Sequence, residues 1–146
     1  MKIQKHKKGF RGYIFSRKIN GNFIPQRVQN LVIREFANRK DIMFKLSSTE
    51  YNMKNSYIML NSLLDDYIFI EGVIFYSIEQ LLDDKKICLK IIKFLLNKKK
   101  IIFFALEELK ISNISEFEKL NEILFIKKNS MNKKSFSKIS NKLKLS

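Results

Sequence analysis

"RGYIFSRKINGNFIPQRVQN", Arg11 to Asn30, holds the repeating unit of the fold in one stretch. Tyr13-Ile14-Phe15 is a short apolar run suited to a buried strand. Asn20-Gly21-Asn22 is turn chemistry, because Gly and Asn tolerate positive φ. Pro25 suits the first turn of a helix. From there Val28, Leu31, Val32 and Phe36 recur at helical spacing, and Arg27, Asn30, Arg34 and Asn38 make the opposite, polar stripe. A buried strand feeding a helix is the building block of a parallel sheet.

The chain repeats that block. Met43–Leu46 reads as a second strand ending in "SSTEY", Ser47 to Tyr51. Asn55 to Leu64 reads as a second helix with Tyr57, Leu60, Leu63 and Leu64 inward. Glu71–Ser77, "EGVIFYS", is the clearest strand, since Val73-Ile74-Phe75 is β-branched and aromatic. It runs into a capping box, Ser77-Ile78-Glu79-Gln80, that opens a third helix to about Asn97. Leu81, Cys88, Ile91, Ile92 and Leu95 form its buried stripe; Leu89, Phe94 and Leu96 fall outside, so this helix is apolar on two sides. "IIFFAL" is a fourth strand ending at Glu107-Glu108, and a second capping box, Ser115 to Glu118, opens a last helix to about Phe125. The alternation predicts a three-layer α/β domain with an open, mostly parallel sheet of about four strands in the order 2-1-3-4, flavodoxin-like. Residues 1–10 read as a basic leader, 11–126 as one α/β domain, and 127–146 as a basic, disordered tail.

Composition removes several function classes. A single histidine, His6, argues against a His-dependent triad or a His-rich zinc site, and no cofactor is implied. A single cysteine, Cys88, fits a reducing cytoplasm and a core position. The longest apolar run, Ile101 to Leu106, is far short of the ~20 residues a membrane span needs. The basic start has no apolar segment behind it, which predicts no secretory signal. The net charge of +15 is unevenly placed. Residues 1–11 hold five basic groups and no acid, residues 127–146 hold seven lysines and no acid, and the part between carries only +3. A lysine tail contacts phosphate backbones without specificity. The five arginines are more informative, because Arg11, Arg17, Arg27, Arg34 and Arg39 all lie within 29 residues.

Open parallel sheets bind ligands beyond the C-terminal strand ends, where the winding reverses. That place receives Ser16 and Arg17 from the first strand, "SSTEY", Ser47 to Tyr51, from the second, Ser77, Glu79 and Gln80 from the third, and Glu107 from the fourth. Gln26 and Arg27 sit in the first turn of the first helix, whose free amides favour an anion. Each also has a plainer reading: Asn20 in a turn, Ser77 and Gln80 as a helix cap, Glu107 as a solvated strand end. Ser16 and Glu50 are the candidate catalytic groups, as nucleophile and acid–base residue.

Two resemblances follow from these motifs. "GYIFSR", "QRVQNLVIREFA", "LNSLLDD", "GVIFYSIEQLLDD" and "KKKIIFFALEEL" fall where the catalytic domain of serine recombinases has its first strand, first helix, second helix, third strand with helix, and fourth strand. That family's first strand carries tyrosine, arginine and serine at alternate positions; here Tyr13 is followed by Phe15 and Arg17, with Ser16 one place early. Its paired arginines would fall near Gln80 and Asp83, so the resemblance implies a resolvase-like fold and not strand exchange. "RGYIFSRKINGNFIPQRVQNLVIREFA", "LSSTEYNMKNSYIMLNSLL" and "GVIFYSIEQLLDD" also resemble the sporadic carbohydrate cluster proteins of bacterial surface-polysaccharide loci, with Lys18 where that family often has proline. That resemblance implies a pathway setting and singles out Arg11, Ser16, Arg17, Asn20, Gln26, Gln29, Asn30, Glu50, Tyr51, Ser77 and Gln80; Gln29 and Asn30 enter only by this route.

The expectation is a cytoplasmic protein of lipopolysaccharide or capsule biosynthesis that binds a sugar phosphate, a nucleotide sugar or a partner enzyme, with Arg17 and Arg27 on phosphate. The alternative is a nucleic-acid-binding module with a degenerate recombinase-like fold. The two-sided third helix also suggests a homodimer.

Overall fold

The computed structural model describes residues 8–53, 56–82 and 84–132. Its five strands are β1 (Phe10–Phe15), β2 (Phe44–Glu50), β3 (Gly72–Phe75), β4 (Ile101–Phe104) and β5 (Leu109–Ile111). They form one sheet in the order β2-β1-β3-β4-β5. The first four are parallel and β5 runs antiparallel to β4. The helices are α1 (Gln26–Arg39), α2 (Ile58–Asn61), α3 (Leu63–Asp66), α4 (Lys85–Asn97) and α5 (Ile114–Asn132). The chain divides into two compact units between Ile114 and Ser115, the first holding the sheet with α1 to α4 and the second built on α5. Winding reverses after β2, and right-handed crossovers then place α1 on one face and α2, α3 and α4 on the other. The central strands β1, β3 and β4 are mostly apolar because both faces are covered: Tyr13, Ile14, Phe15, Val73, Ile74, Phe75 and Phe104 are all buried.

The α/β class, the parallel order 2-1-3-4 and the four expected strands are present, and the departures have local causes. β1 begins at Phe10, inside the expected leader, and residues 1–7 lie outside the described residues. β2 continues through Ser47, Ser48 and Thr49 to Glu50, so most of "SSTEY" is strand. α1 buries Gln29, Ile33, Phe36 and Ala37, whereas Val28 and Leu31 are exposed. The helix is rotated from its apolar count because the Gln29 amide is hydrogen-bonded to the backbone of Phe15. The second helix is broken into α2 and α3 at Ser62, whose hydroxyl donates to the Met59 carbonyl at 2.6 Å. Ser77 to Gln80 opens a 3-10 turn, Ile78–Leu82, and α4 has a separate cap in Asp84, which accepts from Ile87 N. β5 was not expected; a reversal with Glu108 at φ 56 turns the chain back along β4. α5 starts one residue before Ser115 and runs past Phe125 into the expected tail, whose residues from 133 onward lie outside the described residues.

Candidate functional site

At the C-terminal strand ends the expected site residues bond to one another and to the chain's own backbone. Glu50 is fully buried. Its Oε1 accepts from Tyr51 N (3.2 Å), Ser56 Oγ (3.1 Å) and Met59 N (3.3 Å). Its Oε2 accepts from the Tyr13 hydroxyl (2.9 Å) and Leu60 N (3.1 Å). Burial first, and then the adjacent Glu50 carboxylate, push the Tyr13 hydroxyl far above the usual tyrosine range. Glu50 therefore ties β1, β2 and the start of α2 together. The Ser16 hydroxyl donates to the Glu50 carbonyl at 2.5 Å.

Arg17 is turned inward, only 9% exposed. Its Nη1 donates to the carbonyls of Tyr51 (3.0 Å) and Ser56 (2.9 Å), with Met53 at 3.5 Å. The guanidinium lies 4.3 Å from the centre of the Phe15 ring and 5.0 Å from that of Tyr57. Gln29 accepts from Phe15 N (2.9 Å) and donates to the carbonyls of Phe15 and Ile24 (both 2.8 Å). Gln80 accepts from Ser77 N (3.0 Å) and donates to the Tyr13 carbonyl (3.2 Å). The Ser77 hydroxyl donates to Glu107 Oε2 at 2.6 Å, and Glu107 Oε1 accepts from Ile78 N. These side chains satisfy buried backbone groups at the strand ends, as buried polar groups must. Among the remaining expected residues, Gln26, Arg27 and Tyr51 are exposed, and Asn20 holds the Ile19–Asn22 turn at φ 50.

The concave surface lies on the other side of β1, along the edge strand. Between Arg11 and Tyr13 the register slips: β1 advances two residues while β2 advances three, from Lys45 to Ser48. The extra residue makes a bulge at Leu46–Ser47, opposite Gly12. A side chain at Gly12 would overlap the Ser47 hydroxyl, so glycine is what lets the bulge sit there. Bulges gather at sheet edges and re-aim side chains beside binding sites. Here Leu46 swings outward, 81% exposed, and the Ser47 hydroxyl donates to Asn30 Oδ1 at 2.6 Å.

The bulge borders a groove of about 660 Å³ lined by Arg11, Arg34 and Lys45, by Ser47 and Ser48, and by Phe44 and Leu46. A smaller hollow of about 230 Å³ continues along α1 between Arg27, Asn30, Leu31 and Arg34. Arg34 is common to both. Its guanidinium lies 6.0 Å from the centre of the Phe44 ring. Arg11 is 3.4 Å from Asp66 Oδ2, and Lys45 Nζ donates to the Phe69 carbonyl at 3.1 Å. Three elements thus deliver cations to one place. Of the residues expected at a site, Arg11, Arg27, Asn30, Ser47 and Ser48 are here. Arg34 and Lys45 join them, and the clustering of arginines in the sequence was the signal for the first of these.

Among the described residues no group of His, Cys, Asp and Glu could hold a metal ion, and no helix is long and apolar enough to cross a membrane. On α4, Leu96 is buried and Phe94 packs edge-on against Tyr67 at 5.3 Å, so much of its second apolar side is covered.

No family model matches this chain, and neither does any curated protein. Among solved structures it is similar to a resolvase family site-specific recombinase from Streptococcus pneumoniae, with a TM-score of 0.56 over 92% of this chain and 99% of that one. The fold is resolvase-like. At 12% identity the likeness extends to the fold alone.

Proposed function

We propose that this protein binds a phosphorylated or nucleotide-linked sugar in the groove between β2 and α1, acting in the cytoplasm as a component of bacterial surface-polysaccharide biosynthesis. The observation that carries the ligand class is the convergence of Arg11, Arg34 and Lys45 on one bulged groove, with Arg27 beside it. Guanidinium groups match phosphate oxygens in paired hydrogen bonds. The volume of about 660 Å³ falls within the range of small-molecule sites, roughly 300–1,000 Å³. Ser47, Ser48 and Asn30 offer partners for sugar hydroxyls, and Phe44 and Leu46 supply apolar lining. The pathway setting rests on the three motifs that resemble the sporadic carbohydrate cluster proteins. In this reading Arg17, Gln29, Glu50, Ser77 and Gln80 hold the frame and do not touch ligand.

The test is thermal unfolding of the full chain with nucleotide sugars, sugar phosphates and inorganic phosphate. A ligand at one hundred times its Kd stabilises by about 2.7 kcal/mol, a shift of several degrees. Arg34→Ala should fold normally and lose most of that shift. No shift from any ligand, or an undiminished shift in Arg34→Ala, overturns the reading.

A second reading is favoured by the resolvase-like fold together with the basic excess: a nucleic-acid-binding module that does not catalyse strand exchange. Ser16 and Arg17 are engaged with the backbone at the end of β1, which removes the chemistry such catalysis needs. This reading expects DNA binding with a steep salt dependence. It gains if DNA, and no sugar ligand, competes for Arg34.

A further inference from the structure

The N-terminal ends of the four parallel strands share one edge, opposite the crevice. Lys8 and Gly9 precede β1, Met43 precedes β2, Ile68, Phe69 and Glu71 precede β3, and Lys98 to Lys100 precede β4. Hydrogen bonds tie these segments together. Phe10 N donates to the Met43 carbonyl, Gly9 and Glu71 exchange bonds, Ile101 N donates to the Glu71 carbonyl, and Lys45 Nζ donates to the Phe69 carbonyl. The edge is a defined surface.

That surface is both apolar and basic. Phe69 is 60% exposed, and Met43 and Ile68 are each about half exposed. Around them stand Lys8, Lys98 and Lys99, all exposed, and Lys100. Lys98 Nζ lies 5.5 Å and Lys100 Nζ 6.0 Å from the centre of the Tyr67 ring, so that aromatic group gathers two ammonium groups. Burial first, and then Lys8, hold the Lys100 ammonium below the usual lysine range, with Glu71 acting in the opposite sense.

We infer that this edge docks on an anionic lipid bilayer, inserting Phe69, Ile68 and Met43 between headgroups while the lysines meet lipid phosphates. Exposed apolar side chains ringed by cations need a partner that is apolar and anionic at once, and a bilayer surface supplies both. Nucleic acid suits it less well, because bases stack on aromatic rings and find none in Met43 or Ile68. The docking surface shares Lys45 with the groove, through the bond of its Nζ to the Phe69 carbonyl. The residues varied in its test lie outside the groove's lining, so the inference stands or falls independently of the ligand proposed there.

The experiment is co-sedimentation of the full chain with vesicles of phosphatidylcholine alone and of phosphatidylcholine with phosphatidylglycerol, at low and high salt. The wild-type chain should pellet with the anionic vesicles only. The double variant Ile68→Ser/Phe69→Ser should lose about tenfold or more in partitioning at low salt. Lys98→Gln/Lys100→Gln should lose about as much and show a shallower salt dependence. Circular dichroism verifies that both variants are folded. The inference is overturned by no pelleting, by equal pelleting with neutral vesicles, or by variants that bind as the wild type does, since the terminal lysines alone would then account for binding. Tight Phe69-dependent binding to a single-stranded oligonucleotide in place of vesicles overturns it as well.

Discussion

Replacing Glu50 separates a structural carboxylate from a functional one held in reserve. Its two oxygens accept five hydrogen bonds inside the protein, three of them from the backbone amides of Tyr51, Met59 and Leu60. In Glu50→Gln the amide nitrogen is best placed where Oε2 was, because only two donors point there. The Tyr13 hydroxyl can turn to accept, but Leu60 N–H cannot, which leaves one buried donor facing another at about 1–3 kcal/mol. Loss of charge from the other bonds brings the expected cost to about 3 kcal/mol. Glu50→Ala strands all three amides and should cost about 5 kcal/mol. Since a domain of this size holds only about 5–15 kcal/mol in total, the alanine variant should be marginal or unfolded. The assay is urea denaturation followed by circular dichroism, where about 3 kcal/mol moves the midpoint by about 1–3 M. If Glu50→Gln lies within about 1 kcal/mol of wild type, the carboxylate does not hold this junction. If it is more stable and loses an activity, Glu50 belongs to a site whose function opposes stability.

Two further predictions come from the same frame. The Tyr13 hydroxyl is raised in the folded state above its unfolded value, so the stability it contributes is fully present below about pH 10 and is lost above that at about 1.4 kcal/mol per pH unit. Tyr13→Phe should therefore show an alkaline arm of the stability curve shallower by about one proton, measured by urea midpoints from pH 9 to 11, and an unchanged slope refutes it. Gly72→Ala would place a Cβ against the Ile101 carbonyl and the Phe10 ring, where β3 passes β4. It should cost about 3 kcal/mol, and a midpoint within about 1 kcal/mol of wild type would show that the strands can part there.

The centre of the sheet was readable because β1, β3 and β4 carry short apolar runs bounded by turn residues, and the order of the parallel strands then follows from the helices between them. Gln29 shows what patterning misses. A count of apolar residues put Val28 and Leu31 inside, yet one glutamine with three backbone partners turns the helix away from that choice. Polar residues are read from sequence as surface or site, whereas Arg17, Glu50 and Gln80 are buried because strand ends leave amides and carbonyls that need partners. The bulge escaped for a different reason. Register is a relation between two strands, and nothing in "KLSS" announces that Lys45 pairs with Arg11 while Ser48 pairs with Tyr13.

The basic edge at β2 has a competing explanation, and the geometry separates the two. Edge strands are commonly blunted against aggregation by lysines and bulges. That accounts for Lys45 and for the extra residue at Leu46–Ser47. It does not account for Arg34 arriving from α1, for Arg11 from β1, or for Arg27 about two turns earlier on α1, none of which lies on the exposed edge. Edge protection needs charge on the edge strand alone, whereas a phosphate site needs charges converging from several elements. The two also differ in their response to substitution. Under edge protection Lys45→Ser promotes aggregation and Arg34→Ala does nothing. With a bound phosphate, both variants stay monodisperse at low concentration and both lose the ligand-induced thermal shift, Arg34→Ala more so, because it alone borders the groove and the hollow beside it.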